Sequence, residues 1–247
     1  LFIANSPITA EKFLIDIDPN SPYYAEQESW SWANFEFLMD VEIYNCRDLE
    51  RLPLDMLTKL PKMQSLNVAM NYAISGKQLK SDWEAIIDGE SGDEIQILYL
   101  SFNNLRETPS HDYMKRMAKL GYLDCTFNKL EVVHSLGKEI SPTSILLDNN
   151  LIHTITLGKD GYFCGLSQME TFSCSNNCLT KLPDLFSARS IYTMLTVNFS
   201  SNQISELENG DEWRGVNTGT LNLADNRLAT LPKRILGSGS IVEVLML

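Results

Sequence analysis

One frame recurs along this chain: two apolar residues two apart, an asparagine three further on, and another apolar residue two after that. The stretch SILLDNNLIHTI (144–155) carries it on Ile145, Leu147, Asn150 and Ile152. ILYLSFNNLRETP (97–109), YLDCTFNKLEVV (122–133), TFSCSNNCLTKLP (171–183), TVNFSSNQISEL (196–207) and TLNLADNRLATLP (220–232) carry it again. Asn103, Asn128, Asn150, Asn177, Asn202 and Asn226 follow one another at 25, 22, 27, 25 and 24 residues. A weaker copy, SLNVAMN, ends on Asn71, while VEIYNC puts Cys46 and LFIANSPI puts Ser6 in the asparagine slot. A period of this size means stacked copies of one supersecondary unit, none of which can bury its apolar face alone.

Written as LxxLxLxxNxL, the frame resembles the leucine-rich repeat over nearly the whole chain. The resemblance implies an α/β solenoid with a parallel sheet of about ten strands on a concave side and an irregular or helical convex side. It implies a single domain over 1–247, with insertions at about 9–35 and 74–94. The physics of the residues agrees. Strand side chains alternate with period two, so Leu98 and Leu100 point the same way, into a core shared with the neighbouring repeats. The asparagine sits where the strand turns. Its amide donates and accepts at once, and can satisfy backbone groups that the turn would bury unpaired. Leaving one such group unpaired costs about 1–3 kcal/mol, more than the ~0.8 kcal/mol of a buried methylene. Ser6 and Cys46 do this only in part, so those two turns are expected to be looser.

The chain of 247 residues is 44% hydrophobic and carries 20 Lys+Arg against 32 Asp+Glu, a formal net charge of −12 with no basic cluster. Phosphate neutralisation needs such a cluster, so nucleic acid is not the expected partner. Anionic membrane surfaces are disfavoured for the same reason. No apolar run has the length of a transmembrane segment. The chain opens inside a strand frame and closes on IVEVLML before the asparagine of that frame. A solenoid end needs a polar cap, so the sequence is expected to be a piece of a longer chain.

The spacing breaks twice. Between Ser6 and Cys46 lies IDIDPNSPYYAEQE followed by WSWANFEFL. Asp16, Asp18 and Asn20 have calcium-loop spacing, but Ser21 and Gln27 replace the glycine and glutamate such a loop needs, so a solvated loop is expected. Between Asn71 and Asn103, Leu79, Trp83, Ile86 and Ile87 stand at helical spacing with Gly89 as the stop. A smaller helix is expected over 110–120. The LP pairs at Leu52–Pro53, Leu182–Pro183 and Leu231–Pro232 predict extended convex segments. The insert SGKQLKSDWEAIIDG and VEIYNC resemble leucine-rich-repeat surface proteins of gut Bacteroidetes, which implies a surface or secreted lipoprotein and no known reaction.

No catalytic constellation is legible. His111, His134 and His153 fall in unrelated places with no carboxylate or cysteine at ligand spacing, and are read as surface residues. The five cysteines form no CxxC pair; Cys125 and Cys174 take inward strand slots and read as small buried hydrophobes. Asn198-Phe199-Ser200 is a formal glycosylation sequon inside a strand. No metal and no cofactor are expected, and the chain is not read as an enzyme.

What remains is a surface. The slot between the inward pair holds Glu42, Asn67, Tyr99, Asp124, Leu146, Ser173, Asn198 and Asn222; the slot two before it holds Asp40, Ser65, Ile97, Tyr122, Ser144, Thr171, Thr196 and Thr220. Large side chains thus gather at Tyr44, Ile97, Tyr99, Tyr122 and Leu146, with Asp124 among them, while the later repeats present Ser, Thr and Asn. Apolar and tyrosine side chains in solvent-facing slots mark interaction sites. Phe102 and Phe127 are expected instead to turn inward as a spine beside the asparagines. The expected function is recognition of a protein partner through the concave face. Two alternatives stand: a glycan-binding surface, and the substrate-recognition part of a larger enzyme, as in bacterial leucine-rich-repeat effectors that carry a ubiquitin-ligase domain.

Overall fold

The computed structural model describes residues 1–8, 31–136, 140, 142–155, 169–183, 192–207, 216–231 and 241–247. The calcium-like spacing at Asp16, Asp18 and Asn20 lies outside the described residues. The elements in chain order are β1 (Phe2–Ala4), β2 (Asp40–Tyr44), α1 (Leu54–Leu57), β3 (Ser65–Asn67), α2 (Gly76–Asp88), β4 (Ile97–Tyr99), α3 (His111–Met114), β5 (Tyr122–Asp124), β6 (Val132–Val133), β7 (Ser144–Leu146), β8 (Thr154–Ile155), β9 (Thr171–Ser173), β10 (Tyr192–Asn198), β11 (Val216–Asn222) and β12 (Ile241–Met246).

Ten strands form one sheet in the order β1-β2-β3-β4-β5-β7-β9-β10-β11-β12, each paired in parallel with the next repeat. The register is set by the repeat: Leu66 faces Leu98, Leu98 faces Leu123, and Leu123 faces Ile145. From β2 to β11 both residues of the inward pair are buried, from Val41 and Ile43 through Cys125 and Cys174 to Leu221 and Leu223. A one-residue slip in any strand would expose this whole set.

The asparagines form a ladder under the sheet. The Asn150 Nδ2 donates to the carbonyls of Cys125 (3.0 Å) in the preceding repeat and Leu147 (3.0 Å) in its own, and its Oδ1 accepts from the Leu130 N–H at 2.9 Å. Asn103, Asn128, Asn177, Asn202 and Asn226 bridge neighbouring repeats in the same way. Asn71 bonds Ile43 O at 2.7 Å and accepts from the Cys46 N–H. In the Cys46 turn the thiol reaches Ile3 O and Tyr44 O at only 3.9 and 3.6 Å.

The residue before each ladder position has a left-handed backbone: Asn5, Asn45, Met70, Phe102, Phe127, Asn149, Asn176, Ser201 and Asp225 have φ between 51° and 59°. This explains the Asn-Asn pairs. Asn149 takes the left-handed turn, which a short polar side chain tolerates, and Asn150 carries the ladder.

Helix α2 starts where Ser75 accepts from the Gln78 N–H at 3.2 Å, and buries Leu79, Trp83, Ile86 and Ile87 as expected. Its stop works differently from a left-handed cap. Gly89 is extended, and a Cβ there would lie 2.7 Å from Thr58 Cα, so glycine is required by close approach of the neighbouring backbone. Asp82 sits on the buried stripe among the apolar residues and binds the Leu52 N–H at 2.8 Å and Gln78 Nε2 at 2.7 Å. The expected helix over 110–120 is cut to His111–Met114, followed by turns; Met114, Met117 and Leu120 still reach the core. Pro53 stands at the N-cap position of α1, so that convex segment is helical where extended chain was expected. On the convex side β6 and β8 pair in parallel, and isolated bridges join Glu107 to Val132 and Lys181 to Glu206.

Candidate recognition face

The open face of the sheet is built from two rows of side chains that the register places in line. One row runs Glu42, Asn67, Tyr99, Asp124, Leu146, Ser173. The other runs Asp40, Ser65, Ile97, Tyr122, Ser144, Thr171. Tyr99 and Tyr122 come from neighbouring strands and different rows, and their rings meet at 5.1 Å between centroids with planes tilted by 48°. Each ring shields the other, so both are half-buried. Burial first, then the Asp124 charge and Tyr99, hold the Tyr122 phenol above its usual range. Ile97 beside them is 36% exposed. Leu146 follows Asp124 in its row and is half-buried. Tyr44 stands apart from the tyrosine pair and packs edge-on against Phe2 at 5.6 Å.

The middle row has a structural duty that the sequence did not announce. Asn67, Asp124, Asn198 and Asn222 each accept, through Oδ1, from the N–H two residues on, at 2.9–3.1 Å. Asn198 is therefore engaged and only half-exposed. Asp148 takes a related role one strand edge later, where its Oδ1 binds the N–H and Oγ of Ser175 and Oγ of Ser173, each at 2.6 Å. Tyr99 and Leu146 occupy the same row with no acceptor that can close this bond.

Phe102 and Phe127 overturn a second expectation. They do stack from repeat to repeat, at 4.3 Å and 6° between planes, but on the surface: Phe127 is 46% exposed and Phe102 half-buried. The left-handed backbone at their slot turns the side chain away from the core. Their slot is filled elsewhere by Asn, Ser or Asp, and only Met70, Phe102 and Phe127 break that pattern. A left-handed conformation costs a residue with a bulky side chain roughly 1–2 kcal/mol. The sequence signal for this row is the slot before each ladder asparagine, which holds Asn, Ser or Asp in the other repeats.

The histidines stand apart from one another. His111 Nδ1 lies 3.1 Å from Ser135 O, His134 Nε2 lies 3.9 Å from Glu107, and His153 Nδ1 contacts Thr154 Oγ1. Among the described residues no group of three His, Cys, Asp or Glu side chains is placed to hold a metal. Cys125 and Cys174 are buried free thiols whose pKa burial raises. No helix among the described residues is long and apolar enough to cross a membrane.

No family model and no curated protein matches the chain. Solved structures do. A leucine-rich repeat protein from Bacteroides eggerthii is 35% identical with a TM-score of 0.84, over 99% of this chain and 41% of that one. A leucine-rich repeat protein from Bacteroides thetaiotaomicron is 30% identical with a TM-score of 0.74, over 99% of this chain and 35% of that one. The chain thus spans well under half the length of either relative. By its repeat frame, its asparagine ladder, its ten-stranded parallel sheet and this likeness, the chain is a leucine-rich repeat protein.

Proposed function

We propose that this chain is a non-catalytic recognition module that binds a protein partner through the concave face implied by the fold, in a bacterial surface or secreted protein. One observation carries the reading. In the same few adjacent repeats, bulky side chains replace the polar residue that the local backbone favours. Tyr99 and Leu146 forgo the turn-closing acceptor of their row, and Met70, Phe102 and Phe127 accept a left-handed backbone that Asn, Ser or Asp fills elsewhere. Departures from local rules gather at functional sites and are offset by packing elsewhere. The result is a semi-exposed aromatic surface of the kind that anchors protein interfaces. Surface or secreted location is supported by the resemblance to Bacteroidetes surface proteins.

The test pairs a glycan array with a binding screen against candidate host and bacterial surface proteins. The expected outcome is a protein partner whose affinity falls roughly thirtyfold or more on Tyr99→Ala with Tyr122→Ala, the loss typical of a 2 kcal/mol anchor. Thr171→Ala with Thr196→Ala should leave binding nearly intact. The reverse pattern would move the site to the later repeats, and array binding that needs the tyrosines would replace the protein by a glycan.

A further inference from the structure

The charges on this face are one-sided. Among the described residues no Lys or Arg lies in a strand of the ten-stranded sheet, whereas Asp40, Glu42, Asp124 and, at its far edge, Glu243 do. Several described basic residues pair with acids outside these strands: Lys80 with Glu107, Lys115 with Asp112, Lys119 with Glu94 and Arg116 with Asp88. Asp40, Glu42 and Asp124 make no such ion pair among the described residues. Asp124 stands beside Tyr99 in the register, and Glu42 lies two strands from Tyr99 in the same row. The Asp124 Oδ1 accepts from the Thr126 N–H at 2.9 Å, which fixes the carboxylate next to the ring pair.

From this we infer that the partner's docking segment is cationic: a protein segment presenting Arg or Lys together with an apolar side chain. The inference rests on the concave-face reading above. The apolar group packs on Ile97 and the tyrosine rings. The guanidinium or ammonium lies over a ring face, where the ring quadrupole attracts it, and is oriented by Asp124. The carboxylates steer its approach and repel acidic competitors. Sulfated or carboxylated glycans are disfavoured by the same charges.

A library of random phage-displayed 12-residue peptides, selected on the whole chain, tests this. Selected peptides should be enriched in Arg and Lys beside an aromatic or aliphatic residue. Their binding should be lost in the Tyr99→Ala, Tyr122→Ala variant. In Glu42→Gln with Asp124→Asn it should weaken about tenfold at low salt and lose most of its salt dependence. Asparagine is the resident of the Asp124 row at positions 67, 198 and 222, where it makes the same turn bond, so the fold should survive that change. Equal melting temperatures would confirm it. Peptides that need the tyrosines but are neutral or acidic would overturn the charge inference and leave the site standing. A selection that yields no tyrosine-dependent peptide would overturn the site itself.

Discussion

Asn149 and Asn150 are chain neighbours with opposite tasks. Asn149 has φ 58° and takes the left-handed turn, while Asn150 sends its amide back under the sheet to Cys125 O, Leu147 O and the Leu130 N–H. Their side chains cannot be exchanged for a common substitute. Asn150→Ala leaves several buried backbone groups unpaired and should destabilise by about 1–3 kcal/mol. Asn150→Asp should be no better at neutral pH, because it replaces the Nδ2 donor by an oxygen facing the carbonyls of Cys125, Leu147 and Asp148. Asn149→Gly should cost far less, since glycine adopts positive φ freely. Urea melts that ranked Asn149→Gly as the worse change would contradict the ladder.

The Cys46 turn is the incomplete rung. An amide there could donate to Ile3 O and Ile43 O, groups that the thiol approaches at 3.9 Å or not at all. Cys46→Asn should therefore stabilise by about 0.5–1.5 kcal/mol, the net value of a typical hydrogen bond. The measurement is the shift in denaturation midpoint at unchanged slope. A lower midpoint would mean that the slot is shaped for sulfur.

Phe127 combines a left-handed backbone with an exposed stacked ring. Phe127→Asn relieves part of a roughly 1–2 kcal/mol backbone cost and loses about 0.5–1.5 kcal/mol of stacking. Stability should change by less than about 1 kcal/mol. Phe199→Ala, at a fully buried inward slot, should cost about 3–5 kcal/mol. Equal losses would show that Phe127 is core after all.

Asp82 has no exposed surface, and desolvation raises its carboxyl pKa against the bonds from Leu52 N–H and Gln78 and the nearby Arg51 charge. The folded state thus holds the proton more tightly than the unfolded chain. This contribution is fully present below the unfolded carboxylate pKa of about 3.9, and is lost as pH rises through the raised folded value. Asp82→Asn keeps an oxygen for the Leu52 N–H and removes the titration. The wild type should lose stability relative to this variant as pH rises from about 4. A difference curve that is flat with pH would show that Asp82 titrates normally.

The repeat, the inward pairs and the ladder are legible in the residues alone, because these depend on alternation along one strand and on the chemistry of a single amide. It also placed helix α2, whose apolar stripe at 79, 83, 86 and 87 is a local pattern. Tertiary structure decided the rest. Asp82 is buried because the Leu52 N–H of the preceding repeat needs an acceptor there, and Gly89 is glycine because Thr58 passes over it. Phe102 and Phe127 face outward because the turn before each ladder asparagine is left-handed, a backbone choice with no signature in the aromatic residues themselves. The nearness of Tyr99 and Tyr122 is legible from their solvent-facing slots in adjacent repeats, while the 48° tilt of the rings comes from packing between strands. Contacts inside one repeat are written in its spacing. Contacts between repeats come from stacking, and become visible only once the copies are laid side by side.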